Sequence, residues 1–192
     1  YHIIKRVLDL MATALLLPVI VPLCLLTALL VRISSRGPII YRQVRVGKNE
    51  REFTIYKFRS MVVDAEKNGA QWAGENDPRI TPVGRFMRKT RLDELPQIIN
   101  VLLGQMSFIG PRPERPEFVS KLSGAIPHYH LRHLVKPGLT GWAQVKYRYG
   151  SSAEDAATKL MYDLYYVKNV SFVLDLKISL KTILIILSKG GR

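Results

Sequence analysis

The chain has 192 residues, with 29 Lys and Arg against 15 Asp and Glu, a formal net charge of +14. At 47% hydrophobic and 23% charged, it has enough apolar sequence for a sizeable core, which excludes disordered, collagen-like and low-complexity classes. One cysteine, Cys24, excludes an internal disulfide framework and a cysteine-based zinc site. The basic excess calls for an anionic partner: a phosphate-rich small molecule, an anionic membrane face or nucleic acid.

Residues 10–31 are 22 residues without a charge. As a helix they measure about 33 Å, enough to cross a bilayer core. Pro18 and Pro22 interrupt the run, and each removes a backbone donor and clashes with the preceding turn. Both flanks are basic, Lys5 and Arg6 before and Arg32 and Arg36 after, so both ends favour the cytoplasmic side. The combination predicts a re-entrant hairpin that dips into the bilayer and returns. A straight span kinked at the prolines is the rival reading. Asp9, at the mouth, is placed to pair with Lys5 and Arg6.

Residues 32–59 hold eight Lys or Arg against Glu50 and Glu52. Residues 39–46 alternate imperfectly, Gly47-Lys48-Asn49 is turn chemistry, and Phe53, Ile55 and Phe58 follow with strand propensity, which predicts a β-hairpin with a basic solvent face. At a membrane surface each such basic residue adds about 1 kcal/mol of attraction to anionic lipid. Helices are predicted over 61–71, 82–89, 92–103 (ended by Gly104), 117–122, 128–134 and 153–166. A loop is predicted over 72–81, a rigid turn at 110–113, a loop over 137–141 and an extended piece over 142–145. In the tail, Phe172, Val173, Leu176, Leu180, Ile183, Leu184 and Leu187 share one helical face. That face suits either a helix lying in a membrane interface or one packed on the core.

The strongest chemical signal is residues 90–97, Thr-Arg-Leu-Asp-Glu-Leu-Pro-Gln. Asp93 is placed as an N-cap with Pro96 in the first turn, and capping alone would account for it. The same position suits chemistry. A helix N-terminus with Arg88, Lys89 and Arg91 would keep a carboxylate ionised beside phosphate. An ionised Asp can attack phosphorus, and a neighbouring Glu can hold a metal or move a proton. Arg112, between Pro111 and Pro113, is either a solvated surface residue or a fixed fork for phosphate oxygens. His128, His130 and His133 cannot share one helix face, so they predict no metal site. There is no phosphate-binding Gly-rich loop and no dinucleotide fingerprint.

Five motifs occur in order: Lys5-Arg6 with Asp9; Tyr56-Lys57-Phe58-Arg59-Ser60-Met61; Leu92-Asp93-Glu94-Leu95-Pro96-Gln97; Met106 to Pro113; and Lys136 to Val145. On these the chain resembles, over almost its whole length, the bacterial sugar transferases that are monotopic polyprenyl-phosphate phosphoglycosyl transferases. The runs 111–119 and 189–192 are most like exopolysaccharide-type members. The resemblance implies a mostly helical α/β fold. Residues 1–36 would be a re-entrant membrane helix, and residues 37–192 a cytoplasmic catalytic domain with the β-hairpin and a C-terminal amphipathic helix. It implies transfer of a phospho-sugar from a UDP-sugar to undecaprenyl phosphate, with release of UMP.

In that scheme Asp93 is the nucleophile and Glu94 its partner, both near Mg²⁺. Arg88, Arg91, Arg112 and Arg148 would hold phosphate, and Pro137, Gly138, Thr140 and Gln144 would contact the nucleotide. Asp163 matches a family acid of structural or active-site role. Pro18 and Pro22 would mark the membrane break, although Val21-Pro22 stands where a Ser-Pro pair is expected. The implied location is the cytoplasmic face of the bacterial inner membrane, among anionic lipids. The competing readings are a non-enzymatic basic membrane scaffold and a nucleic-acid binder. The apolar N-terminal run argues against nucleic acid as a partner, and a homo-oligomer stays open.

Overall fold

The computed structural model describes residues 1–67, 69, 71, 74, 77–147 and 152–188. The chain is mostly helical with two small sheets. Helix α1 (His2–Ser34) is followed by the hairpin β1 (Ile40–Val46) and β2 (Glu52–Phe58), paired antiparallel from Ile40 opposite Phe58 to Val46 opposite Glu52. Then come α2 (Pro82–Thr90), a 3₁₀ helix (Leu92–Gln97), α3 (Ile98–Leu102), β3 (Ser107–Ile109) and α4 (Pro116–Ala125). A 3₁₀ helix (Tyr129–Leu134), β4 (Gly138–Thr140), α5 (Trp142–Lys146), α6 (Ala153–Lys168) and α7 (Phe172–Leu187) complete it. Strands β3 and β4 pair in parallel.

Helix α1 has inverted polarity. Its buried residues are Asp9, Thr13, Thr27 and Val31, whereas Ile3 is 83% and Leu15 80% exposed. The polar face carries the docking contacts. Asp9 accepts from Ser107 Oγ at 3.0 Å and from the Phe108 amide at 3.2 Å. Lys5 and the Tyr1 hydroxyl both donate to Asp175 of α7, and Arg6 donates to the carbonyls of Val101 and Leu102. At its other end Val31 packs on Phe58 and Met87. Both ends of α1 therefore lie against the same globular body. The expected reversal at Pro18 and Pro22 is not a break in the helix: α1 stays helical through both prolines. Helix α7 also turns its predicted apolar stripe outward. Leu174, Asp175 and Ile178 face inward, and Val173, Leu184 and Leu187 are exposed, so its apolar stripe is not packed on the core. Outward faces this apolar call for lipid rather than water.

Four elements differ from the sequence expectation. The described residues of 61–71 form a bridge from Met61 to Ile80 and turns, not a helix. Arg79 donates to the Ala65 carbonyl, and Arg115 holds Glu66, so bonds to distant groups replace the helical ladder. The helix expected over 92–103 is a 3₁₀ piece followed by α3. Arg91 takes a left-handed conformation (φ 62°) that turns the chain sharply after α2. Asp93 therefore sits inside the 3₁₀ turn rather than capping it. Residues 142–145 are helical because Gly141 starts a turn there, with the Val145 amide donating to the Gly141 carbonyl. The strand lies instead at β4, in the segment expected to be loop.

Glycine is required where β3 and β4 meet. A Cβ on Gly138 would lie 2.1 Å from the Gly110 amide nitrogen, which cannot yield. Gly138→Ala should therefore push apart the strands that carry the Pro111-Arg112-Pro113 turn. A thermal midpoint several degrees below that of the wild type is expected, and an unchanged midpoint would contradict this packing account.

Candidate active site

Between the hairpin, the 3₁₀ turn after α2, α4 and α6 lies a cavity of about 900 Å³. Its wall includes Lys57 of β2, Arg88 of α2, Asp93, Glu94, Arg112 and Asp163. Period-two alternation places Lys57 on this wall. Tyr41, Gln43 and Arg45 line it from β1, so this basic side of the hairpin faces the cavity, and the exposed Arg42 also reaches it.

The acidic pair is strongly asymmetric. Glu94 is gripped by three cations. Its Oε1 accepts from Arg112 Nη2 at 2.6 Å and Lys57 Nζ at 3.1 Å, and its Oε2 lies 3.6 Å from Arg91 Nη1. Asp93 is buried, and its Oδ1 has no hydrogen-bond partner. Burial and the neighbouring Glu94 charge push the Asp93 carboxyl up, against Lys57, Arg88 and Arg112. Burial would raise Glu94 too, but Arg112, Lys57 and Arg91 outweigh it and hold that carboxyl well below its ordinary range. Burial lowers Lys57 while Glu94 draws it back up. The result is one carboxylate locked as an anion and a second, less stabilised one with a free oxygen. That is the separation of roles a reacting acid pair needs.

Arg112 is positioned from behind. Its carbonyl accepts from Arg132 Nη2 at 2.8 Å. Arg132 in turn binds Asp163 through Nε at 3.1 Å and Nη2 at 2.8 Å, and donates to the Tyr129 hydroxyl. Asp163 and Arg132 are 2% and 6% exposed, so this is a buried ion pair supporting the Pro-Arg-Pro turn.

Of the residues expected from sequence, Asp93, Glu94, Arg88, Arg91, Arg112, Asp163 and Gln144 all lie on this wall. Pro137, Gly138 and Thr140 do not. Pro137 and Gly138 bond along β3, and the Thr140 hydroxyl meets that of Thr182 at 2.8 Å. Arg148 lies outside the described residues. Sequence reasoning missed Lys57 as a partner of Glu94 and Arg132 as the support of Arg112. Strand alternation could have placed Lys57; nothing local marks Arg132.

Among the described residues no group of three or more His, Cys, Asp or Glu gathers to form a protein-only metal cage. The acid pair does fit a Mg²⁺ ion, which binds one or two carboxylates and completes its shell with substrate phosphate and water. Asp93 Oδ1 is an uncommitted hard donor, and the charge of the adjoining Glu94 acts on the same carboxyl.

A cation-ringed acid pair thus lines a large cavity, on a body whose outer helices present apolar faces. The sequence pattern of the bacterial sugar transferases matches residues 1–189, and the chain belongs to that family. It is 49% identical, over all of its length and 45% of the relative's, to a UDP-N-acetylgalactosamine-undecaprenyl-phosphate N-acetylgalactosaminephosphotransferase of Aeromonas hydrophila. It is 43% identical, over 94% of its length and 39% of the relative's, to a UDP-glucose:undecaprenyl-phosphate glucose-1-phosphate transferase of Klebsiella pneumoniae. An exopolysaccharide production protein PSS of Rhizobium leguminosarum bv. phaseoli is 39% identical over 98% of this chain and 97% of its own. The chain thus spans less than half the length of the first two relatives.

Proposed function

We propose that this chain transfers a sugar 1-phosphate from a UDP-sugar to undecaprenyl phosphate through a covalent intermediate on Asp93, releasing UMP. The observation that carries this reading is the free, buried Asp93 Oδ1 on the wall of a cavity lined with cations. An Asp93 carboxylate oxygen forms a bond to the β-phosphorus, and the bond from that phosphorus to the bridging oxygen breaks, leaving UMP with the electron pair. A phosphate oxygen of the lipid then attacks the same phosphorus, and the bond to Asp93 breaks. The free carboxylate and a polyprenyl diphosphate sugar result.

Arg112 and Arg88 hold charge that develops on the transferring phosphate oxygens. Glu94, kept anionic by Lys57 and Arg112, anchors those cations. A Mg²⁺ ion held by Asp93 and Glu94 would neutralise the diphosphate. The exposed apolar faces of α1 and α7, and the docking of both ends of α1 on one body, favour a monotopic placement at the cytoplasmic face of the inner membrane. There the cavity would meet a lipid phosphate in its headgroup layer. Initiation of exopolysaccharide or related glycan assembly follows from such a reaction.

The test is UMP release from UDP-sugars by purified protein with Mg²⁺ and undecaprenyl phosphate. Turnover supports the proposal, and membrane binding without turnover of any UDP-sugar would favour the scaffold reading. The reaction needs Asp93 ionised, and its environment raises that carboxyl. In the protein free of metal and substrate, the Asp93 carboxyl should therefore take up its proton on acidification with a midpoint above the ordinary Asp value of about 4, as followed by NMR of labelled aspartate. A profile flat to pH 4 would contradict the burial of Asp93.

A further inference from the structure

We propose that Arg59, where α1 joins the hairpin, binds the phosphate of the lipid substrate; this rests on the reaction proposed above. Arg59 lines the same cavity and is 6% exposed. Its Nη2 donates to the carbonyl and hydroxyl of Ser35, both at 2.8 Å, and so caps the C-terminal end of α1. Its Nε and Nη1 are buried and have no hydrogen-bond partner. Among the described residues no carboxylate forms an ion pair with it. A buried guanidinium with two idle donors and no counter-charge is costly to maintain, and a bound phosphate removes both deficits.

The surroundings favour a lipid as the source of that phosphate. The cavity wall beside Arg59 is apolar, with Ile39, Val62 and Val63, and the two valines are exposed. Ile39 of this wall follows closely on the end of α1, the helix long and apolar enough to enter a bilayer. A cation set behind an apolar lip at the end of that helix matches an amphiphile whose phosphate precedes a hydrocarbon tail. The backbone makes room for the guanidinium. A Cβ on Gly37, which has φ +122°, would sit 2.2 Å from Arg59 Nη1. Arg88 and Asp93 line the same cavity as Arg59.

The two half-reactions separate this role from a merely structural one. In Arg59→Gln, single-turnover UMP release from UDP-sugar without lipid should match the wild type in amplitude. The KM for undecaprenyl phosphate should rise about ten- to hundredfold, the worth of a charge-assisted hydrogen bond, while the KM for UDP-sugar stays put. Arg59→Lys keeps the charge but not the fork and should fall between. Inorganic phosphate should protect the wild type from lipid turnover more strongly than it protects Arg59→Gln. An unchanged lipid KM, a raised UDP-sugar KM, or loss of the lipid-free step in both variants would overturn the inference, the last marking Arg59 as a helix cap alone. A wild-type protein that releases no UMP overturns the proposed function first, and this inference with it.

Discussion

Replacing Asp93 by Asn should lower UMP release by about 10⁴-fold or more, the scale on which loss of a nucleophile is felt. The amide matches the carboxylate in shape but offers no anionic oxygen to phosphorus. The same substitution should not harm the fold. Asp93 has a folded-state carboxyl raised above its unfolded value, so the folded protein binds the proton more tightly. As pH rises through that window, ionising Asp93 costs stability, and at neutral pH the cost is fully present. Asn removes it. A thermal midpoint at pH 7 equal to or a few degrees above that of the wild type is expected, at about 2–4 °C per kcal/mol. An inactive variant that is also much less stable would mean that Asp93 serves as a structural residue.

Asp163→Ala should do the opposite to stability. It leaves the Arg132 guanidinium buried without its carboxylate, a change worth about 3–5 kcal/mol. A fall in thermal midpoint of roughly 6–20 °C follows at the same conversion. Activity should fall as well, because Arg132 holds the Arg112 carbonyl and Arg112 holds Glu94. The effect on activity should appear as a raised KM for UDP-sugar, since the residue acts through Arg112 and does not touch Asp93 directly. A variant with wild-type melting would show that the buried pair is not a strut.

These two acids illustrate how far the sequence alone reached. Asp93 stood out because acids, arginines and a proline crowd one short stretch. Its structural setting was not legible, because the left-handed Arg91 turn moves it from a cap into a 3₁₀ turn. Asp163 could be matched only by likeness, since its partner Arg132 is 31 residues away and no local pattern joins them. The β-hairpin was legible from alternation and turn residues. The direction of its basic side was not, because alternation says which residues share a face and not what that face meets. For α7 the apolar stripe was clear, but periodicity is the same whether a helix packs on protein or on lipid. The burial of Asp175, fixed by Tyr1, Lys5 and Tyr166, settles that the stripe faces outward. Pro18 and Pro22 predicted a break, whereas α1 stays helical through both, with Ile20 between them packed against the core.

Mass spectrometry of the protein mixed with a UDP-sugar in the absence of polyprenyl phosphate tests the account where it is most exposed. The expected result is a mass increase of one phospho-sugar, located to the peptide carrying Asp93 and lost on adding the lipid. Turnover with no adduct at any time, or an adduct on another residue, would contradict the assignment of Asp93 as the group that bonds to phosphorus.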